Sequence, residues 1–319
     1  MVLNWLPQET KQAIENLDLG LSVYSVPEID ILLSKTVLFR GKKFRPTLCF
    51  LMSQTFGVDL DRAQPYARAA EFVHAATLAH DDVIDESPTR RHRPTLNALS
   101  SNARAVLAGD LLLARVMAEL SALGEIEIIA DLANTVEELV SGEWLQLEAR
   151  NIARVNRIHL ETVAKKKTAS LMSWCCATAA RLAGKSQSWV ALARQFGESL
   201  GIAFQMIDDI IDYDPAGEKP FAQDVREGLV NFVTLEMLEA KPSLLEPLQK
   251  ILGAVPEGVQ WPWQPSDLER ASAQVRARAD AKLEVAGQIL DQLSQLSNSS
   301  PDAVQALRSI LVYLRERVR

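Results

Sequence analysis

Two acidic runs are the places in this chain where chemistry could be done. Asp81-Asp82-Val83-Ile84-Asp85 and Asp208-Asp209-Ile210-Ile211-Asp212 share one Asp-Asp-x-x-Asp spacing. On a helix, residues three or four apart lie on one face, so Asp85 neighbours both Asp81 and Asp82. The same holds for Asp212 with Asp208 and Asp209. Carboxylates clustered this way repel one another unless a cation joins them. Each run also falls at the C-terminal end of an apolar helical stretch, where the helix dipole disfavours negative charge. Hard oxygen ligands suit Mg2+, which takes one or two carboxylates plus substrate phosphate. All six aspartates are therefore candidate metal ligands. A solvated acidic helix end would explain either run alone. Two runs, each behind an apolar helix and before a polar loop, weigh against that account.

A phosphate-bearing substrate needs cations besides metal. Arg40, Lys42, Lys43 and Arg45 crowd the segment RGKKFRP, where Gly41 permits a tight turn before a helix. Arg90 and Arg91 follow the first run directly, and Arg93 lies close by. Arginine forks match phosphate oxygens in pairs, while lysine acts as a point charge. His74 lies seven residues before Asp81, on roughly the same helix face two turns earlier. His80 adjoins Asp81. A metal hydrolase built on His-Asp ligands would need more histidines than His74, His80, His92 and His159 supply.

The elements that must position these residues are helices. Ala, Leu, Glu, Gln and Arg are abundant, against 14 Gly and 14 Pro. Apolar residues recur at i, i+3, i+4 and i+7 over 60–84, 99–121, 126–151, 158–183, 186–212, 266–295 and 301–317. Ser266 and Asp302 read as the starts of the last two. Polar breaks fall at 86–98, 213–228 and 254–265. With no tandem repeat and no flexible linker, residues 1–319 read as a single all-α domain, a bundle of helices around a shared core.

Composition narrows the function classes. A chain of 319 residues, 48% hydrophobic and 24% charged, can bury a sizeable core. A net charge of -7 argues against nucleic acid or an anionic membrane as partner. Cys49, Cys175 and Cys176 fit no zinc spacing and read as buried thiols of a reducing compartment. The N-terminal MVLNWLPQETK lacks a basic region followed by an apolar one, and no uncharged apolar stretch reaches about 18 residues. A cytoplasmic protein without a transmembrane segment is the expectation.

Along nearly the whole chain, and in order, GKKFRP, EFVHAATLAHDDVIDESPTRR, Gly109-Asp110, Gly142-Glu143, Lys167-Thr168-Ala169, FQMIDDIIDY and YLRERVR resemble the motifs of trans-prenyl diphosphate synthases, the polyprenyl synthetases. The resemblance implies an all-α fold around a deep central cavity, usually as a homodimer. It implies head-to-tail condensation of isopentenyl diphosphate with an allylic diphosphate, with Mg2+ as cofactor, three ions once substrate is bound. Asp81 and Asp85 would be first-run ligands with Asp82 supporting; Asp208 would lead the second run with Asp212 supporting. Lys42, Arg45, His74 and Arg91 match the isopentenyl diphosphate site. Arg90, Lys167 and Lys219 match contacts to the allylic diphosphate. Thr168 and Gln205 match polar groups near the reacting carbons, which makes Lys167, Thr168 and Gln205 the candidate catalytic residues.

Physical chemistry agrees with such roles. Diphosphate leaves only when its charge is neutralised. The allylic cation left behind needs a dry pocket with oxygen dipoles facing it. In the family, released diphosphate is held to accept the final proton, which accounts for the absence of an obvious general base.

Two positions depart from the family pattern. Leu229 stands where a lysine commonly touches the allylic diphosphate, with Arg226 nearby as a replacement cation. His92 stands where glycine usually follows the Arg pair. Ala76 and Thr77, fifth and fourth before Asp81, occupy the positions that face the growing chain in this family. The small Ala76 leaves room for a tail. DDVIDES is similar to the octaprenyl and solanesyl synthases, so a product longer than geranylgeranyl is expected. The alternatives are a shorter-chain synthase, a terpene cyclase and a non-catalytic subunit of a hetero-oligomeric synthase.

Overall fold

The computed structural model describes residues 5–19, 27–36, 38–90, 93–150, 152–215, 220–256, 258–296 and 298–317. Helices follow one another almost without interruption. They are α1 (Gln8–Glu15), α2 (Pro27–Lys35), α3 (Phe44–Thr55), α4 (Leu60–Ile84), α5 (Leu96–Leu99), α6 (Asn102–Leu123) and α7 (Ile126–Glu148). After these come α8 (Arg157–Val163), α9 (Ser170–Leu182), α10 (Gln187–Ile211), α11 (Gln223–Arg226), α12 (Phe232–Ala240), α13 (Leu245–Ile251), α14 (Pro265–Leu293) and α15 (Pro301–Glu316). The strands among the described residues are β1 (Thr89–Arg90) and β2 (Arg93–Pro94), an antiparallel pair in the register Thr89↔Pro94 and Arg90↔Arg93. The fold is all-α, as the periodicity predicts.

The chain divides into two compact units. The first comprises Met1–Asn134, Trp174–Ala193 and Gln292–Leu307. Its helix α3 is buried from Pro46 to Ser53 on every side, as a helix that is apolar all round must be. Helix α4 contributes Ala63, Ala67, Ala70, Ala75, Ala76 and Ala79, all fully buried; short side chains let neighbouring helices approach closely. Asp59 starts α4 by accepting a hydrogen bond from the Asp61 amide (2.8 Å). Trp174 is wholly buried, and its indole N–H donates to the Ile128 carbonyl (3.2 Å). Cys49, Cys175 and Cys176 are free, buried thiols, and burial pushes all three up.

The second unit comprises Thr135–Ser173, Arg194–Asp291 and Arg308–Arg319. In α14, Ala271, Val275, Ala279, Leu283, Ala286 and Leu290 are buried at spacings of three and four, so one stripe faces inward. Two aromatic layers brace the segment after the second acidic run. Trp261 and Trp263 stack at 4.8 Å, while Tyr213 packs edge-on against Trp263 and Phe221.

The structure differs from the periodicity in several places. The stretch 158–183 is not one regular helix: Ala164–Ala169 forms a π turn between α8 and α9. The polar break 86–98 contains the β1–β2 pair and α5, and 213–228 contains α11. The short helices α1, α2, α12 and α13 lack the length for a legible period. Helices α14 and α15 start before Ser266 and Asp302, with Pro265 and Pro301 in their first positions. There Ser300 Oγ accepts from the Ala303 amide (3.3 Å) and Asp267 Oδ2 accepts from the Gln264 amide (3.1 Å).

Candidate active site

The first acidic run closes α4. Its middle residue points inward: Asp82 is 2% exposed, and one of its oxygens accepts from both Nε and Nη2 of Arg90, each at 2.8 Å. Burial raises the Asp82 carboxyl above its usual range, and the Arg90 guanidinium opposes the rise. Asn97 Nδ2 donates to the Asp82 carbonyl (3.1 Å), tying the helix end to α5. Asp81 and Asp85 remain partly exposed.

A glycine seats this helix end. His80 Nε2–H donates to the Val106 carbonyl of α6 (3.1 Å) and stands 3.5 Å from Asp110 Oδ1. A Cβ at Gly109 would lie 2.2 Å from His80 Nε2, so glycine opens the slot that the imidazole fills. This explains the Gly109-Asp110 pair on local grounds.

The basic segment of the same unit enters α3. Lys42 is exposed, while Lys43 and Arg45 are partly buried. His74 is partly buried on α4, and Thr77 Oγ1 donates to its carbonyl (2.9 Å). Ala76 is wholly buried. Arg91 and Lys219, expected at the two diphosphates, lie outside the described residues, as does His92.

The second run closes α10 and is used differently. Asp209, 4% exposed, accepts from the Phe232 amide (3.0 Å) and from Gln205 Nε2 (2.8 Å). Burial drives its carboxyl well up, and the neighbouring Asp224 charge adds to the rise. Asp212 is also buried, and its oxygens accept from the Gln223 amide (3.1 Å) and the Asp224 amide (3.2 Å) at the start of α11. Asp208 is the partly exposed member, with Arg317 Nη2 3.4 Å away.

Around Asp209 lies a small pocket, about 90 Å3, with Lys167, Thr168, Gln205, Asp224 and Leu229 in its wall and Leu160, Val163 and Phe232 supplying apolar cover. Three close approaches build it. A Cβ at Gly201 would lie 2.4 Å from Ala169 Cα, and one at Gly197 2.6 Å from Ser173 Cα, so two glycines four apart let α10 abut the π turn and α9. One turn beyond Gly201, Gln205 therefore meets Thr168, whose hydroxyl donates to Gln205 Oε1 (2.7 Å). Gly142 admits the backbone of Lys167, whose amide nitrogen would lie 2.7 Å from a Cβ there. The π turn places consecutive residues Lys167 and Thr168 on the pocket, and such turns concentrate at functional sites. Lys167 Nζ pairs with Glu143, the residue after that glycine.

The sequence expectations thus meet in part. Lys167, Thr168, Gln205 and Asp209 come together. Leu229 lines the same wall, but Arg226 does not: its guanidinium sits 5.5 Å over Trp261 and its Nε donates to the Phe221 carbonyl (3.0 Å). Glu143 belongs to the Gly142-Glu143 motif but had no role in the sequence reasoning, and Asp224 and Asn231 were missed by it. Asn231 caps α12, accepting from the Thr234 amide (2.9 Å), and donates to Asp224 Oδ2 (2.8 Å). Asn before an apolar helical run is a cap signal that would have found it.

Metal fit follows from the donor set. No three His, Cys, Asp or Glu side chains converge into a ready cage among the described residues. Asp81, Asp85 and Asp208 keep accessible hard oxygens, which suits Mg2+, a cation that takes few protein ligands and completes its shell with phosphate and water.

Helices throughout, with paired Asp-rich runs each closing a long helix, define an all-α isoprenoid synthase-like protein. Residues 27–260 match the polyprenyl synthetase family, and the chain belongs to it. It is 32% identical over 304 residues to a mitochondrial solanesyl-diphosphate synthase of Oryza sativa, covering 87% of this chain and 68% of that protein. Against several other curated relatives the chain spans only about half of their length. A decaprenyl diphosphate synthase from Rhodobacter capsulatus superposes with a TM-score of 0.83 at 28% identity, covering 98% of this chain and 97% of that one. A polyprenyl synthase from Caulobacter crescentus, complexed with calcium and isoprenyl diphosphate, gives 0.77 at 26% identity, covering 98% and 94%.

Proposed function

We propose that this chain is a Mg2+-dependent prenyltransferase that adds isopentenyl diphosphate head-to-tail to an allylic diphosphate and makes trans-polyprenyl diphosphates longer than geranylgeranyl. The observation that carries the reading is the linked set Thr168–Gln205–Asp209 beside Lys167, in a pocket with apolar cover. Thr168 directs its hydroxyl hydrogen to Gln205 in a hydrogen bond, so its oxygen lone pairs remain for the pocket and stabilise positive charge developing there. Asp209 holds Gln205 in that orientation. Lys167 sits on the same wall to meet the departing diphosphate, and Glu143 steadies its ammonium. Leu160, Val163 and Phe232 exclude water from a cation that water would quench.

Asp81, Asp85 and Asp208 would hold the metal, three ions with substrate bound, with Asp82, Asp209 and Asp212 supporting from inside. Bound there, Mg2+ supplies the charge neutralisation that makes diphosphate a leaving group. Lys42, Arg45, His74 and Arg91 are assigned to isopentenyl diphosphate, and Arg90, Lys167 and Lys219 to the allylic diphosphate. The named relatives, long-chain synthases, support the product class, as does Ala76 before the first run.

The same reading takes the chain as one catalytic domain, a homodimer and a cytoplasmic protein. Exposed apolar side chains on α6 and α7, among them Leu107 (62% accessible) and Ile126 (77%), support pairing with a second copy. Free cysteines support a reducing compartment. No described helix is long and apolar enough to cross a membrane.

The test is elongation. Purified protein with Mg2+, farnesyl diphosphate and labelled isopentenyl diphosphate is expected to yield extended trans-prenyl diphosphates. Failure to extend any allylic primer would overturn the proposal, and release of a hydrocarbon would indicate a cyclase.

A further inference from the structure

Glu71 lies in the middle of α4 and is only 3% exposed. A lone buried carboxylate is costly unless it is paired. Its partner is Lys43, whose Nζ stands 3.3 Å from Glu71 Oε1. The Glu71 charge also reaches Arg45, in electrostatic terms only: burial lowers the guanidinium from the ordinary value, and the Glu71 charge opposes that. Among the described residues, one carboxylate pairs with Lys43 and acts electrostatically on Arg45 as well.

The surroundings preset this pair. Lys43 adopts a left-handed backbone (φ 51°), a conformation that side chains other than glycine rarely take and that persists where the fold over-determines it. Its ammonium lies 5.9 Å over the Phe39 ring, which packs against Phe72, the residue after Glu71. Lys43 is also the N-cap of α3 and makes no side-chain cap, and the first turn of that helix carries no acid. Two buried donors, Lys43 Nζ and Arg45 Nε, complete no hydrogen bond among the described residues. A purely structural ion pair would fill its donors. This cluster does not, and an anion with several oxygens would fill them. His74 lies three residues after Glu71 on the same face of α4, and Asp81 seven residues beyond His74 continues that face.

We propose that Glu71 is a positioning residue for the isopentenyl diphosphate subsite, holding Lys43 and Arg45 as a preset cation pair, and that Lys43 joins Arg45 in binding that diphosphate. The inference rests on the function proposed above. Glu71 does not touch the substrate; its carboxylate keeps two cations close that would otherwise repel each other.

The test separates the two substrates. In Glu71→Gln, the KM for isopentenyl diphosphate is expected to rise about tenfold, while the KM for the allylic diphosphate stays within about twofold. Lys43→Gln is expected to do the same, and the double variant to add little, because the two residues act as one unit. Equal shifts in both KM values, or none, would overturn the inference, as would a change in Tm without a KM split. Calorimetric titration with isopentenyl diphosphate alone reads the subsite without turnover. It should show the same loss of affinity in both variants. If Glu71→Gln fails to fold, Lys43→Gln carries the same decision. An inactive wild type that still binds isopentenyl diphosphate through Lys43 would refute the function and leave this subsite standing.

Discussion

The two Asp-Asp-x-x-Asp runs are alike in spacing and both end a 25-residue helix, yet their carboxylates do different work. In the first run one aspartate, Asp82, turns inward to Arg90, and Asp81 and Asp85 stay partly exposed. In the second, Asp209 and Asp212 both turn inward, to Gln205, Phe232 and the start of α11, and Asp208 alone of the three stays partly exposed. The helices are seated differently too. Gly109 makes room for a side chain, His80, whereas Gly201 makes room for backbone, at Ala169. Identical motifs thus become a two-carboxylate surface in one unit and a one-carboxylate surface with an internal scaffold in the other.

The largest effects should come from the accessible carboxylates. Asp81→Asn and Asp208→Asn are expected to lower kcat/KM by at least about a hundredfold with little change in Tm, since each removes a proposed ligand of the metal that would neutralise the departing diphosphate. Loss of activity explained by unfolding, read by circular dichroism, would break the comparison. Next come the glycines. Gly201→Ala forces a Cβ into backbone that cannot swing aside, an overpacking that costs about 1–3 kcal/mol. Gly109→Ala meets only the His80 ring and should cost less; denaturant midpoints of the two variants check the order.

The internal aspartates should show the reverse signature. Asp209→Ala leaves the buried Phe232 amide unpaired, costing about 1–3 kcal/mol in stability. Thermal melts would expose an error if Asp209→Ala proved as stable as the parent.

The smallest effect lies outside both runs. Lys241 and the Gln264 amide hold the Asp267 carboxyl below the usual carboxylate range. Its contribution is therefore present above the ordinary aspartate pKa and is lost as pH falls through the lowered one. Asp267→Ala should lower Tm at neutral pH, with the gap to the parent closing in acid. A gap independent of pH would contradict this.

Much of this was legible in the sequence, for physical reasons that also set the limits. A long helix buries one stripe, so α4, α10 and α14 write their period into the apolar positions. Asp residues in pairs, with a basic cluster, pointed to diphosphate chemistry, and the resemblance added the Lys167-Thr168 pair. What spacing could not convey is direction. Asp208 and Asp209 are neighbours of one type, and only the packing of Phe232 and Gln205 decides which turns inward. The π turn depends on Gly142 admitting a distant backbone, which no local period records. Glu71 was passed over as one acid in an Ala-rich run, although an acid amid EFVHAATLAH is itself a sign of a buried pair.

The two runs are not equivalent, and a Mg2+ titration of two variants distinguishes them. Activity is followed against Mg2+ concentration for Asp208→Asn and Asp212→Asn. The expected result is that Asp208→Asn needs far more Mg2+ for half-maximal activity, while Asp212→Asn keeps the parent's Mg2+ dependence and loses thermal stability. Equal displacement of the two Mg2+ curves would contradict the claim and return Asp212 to the metal.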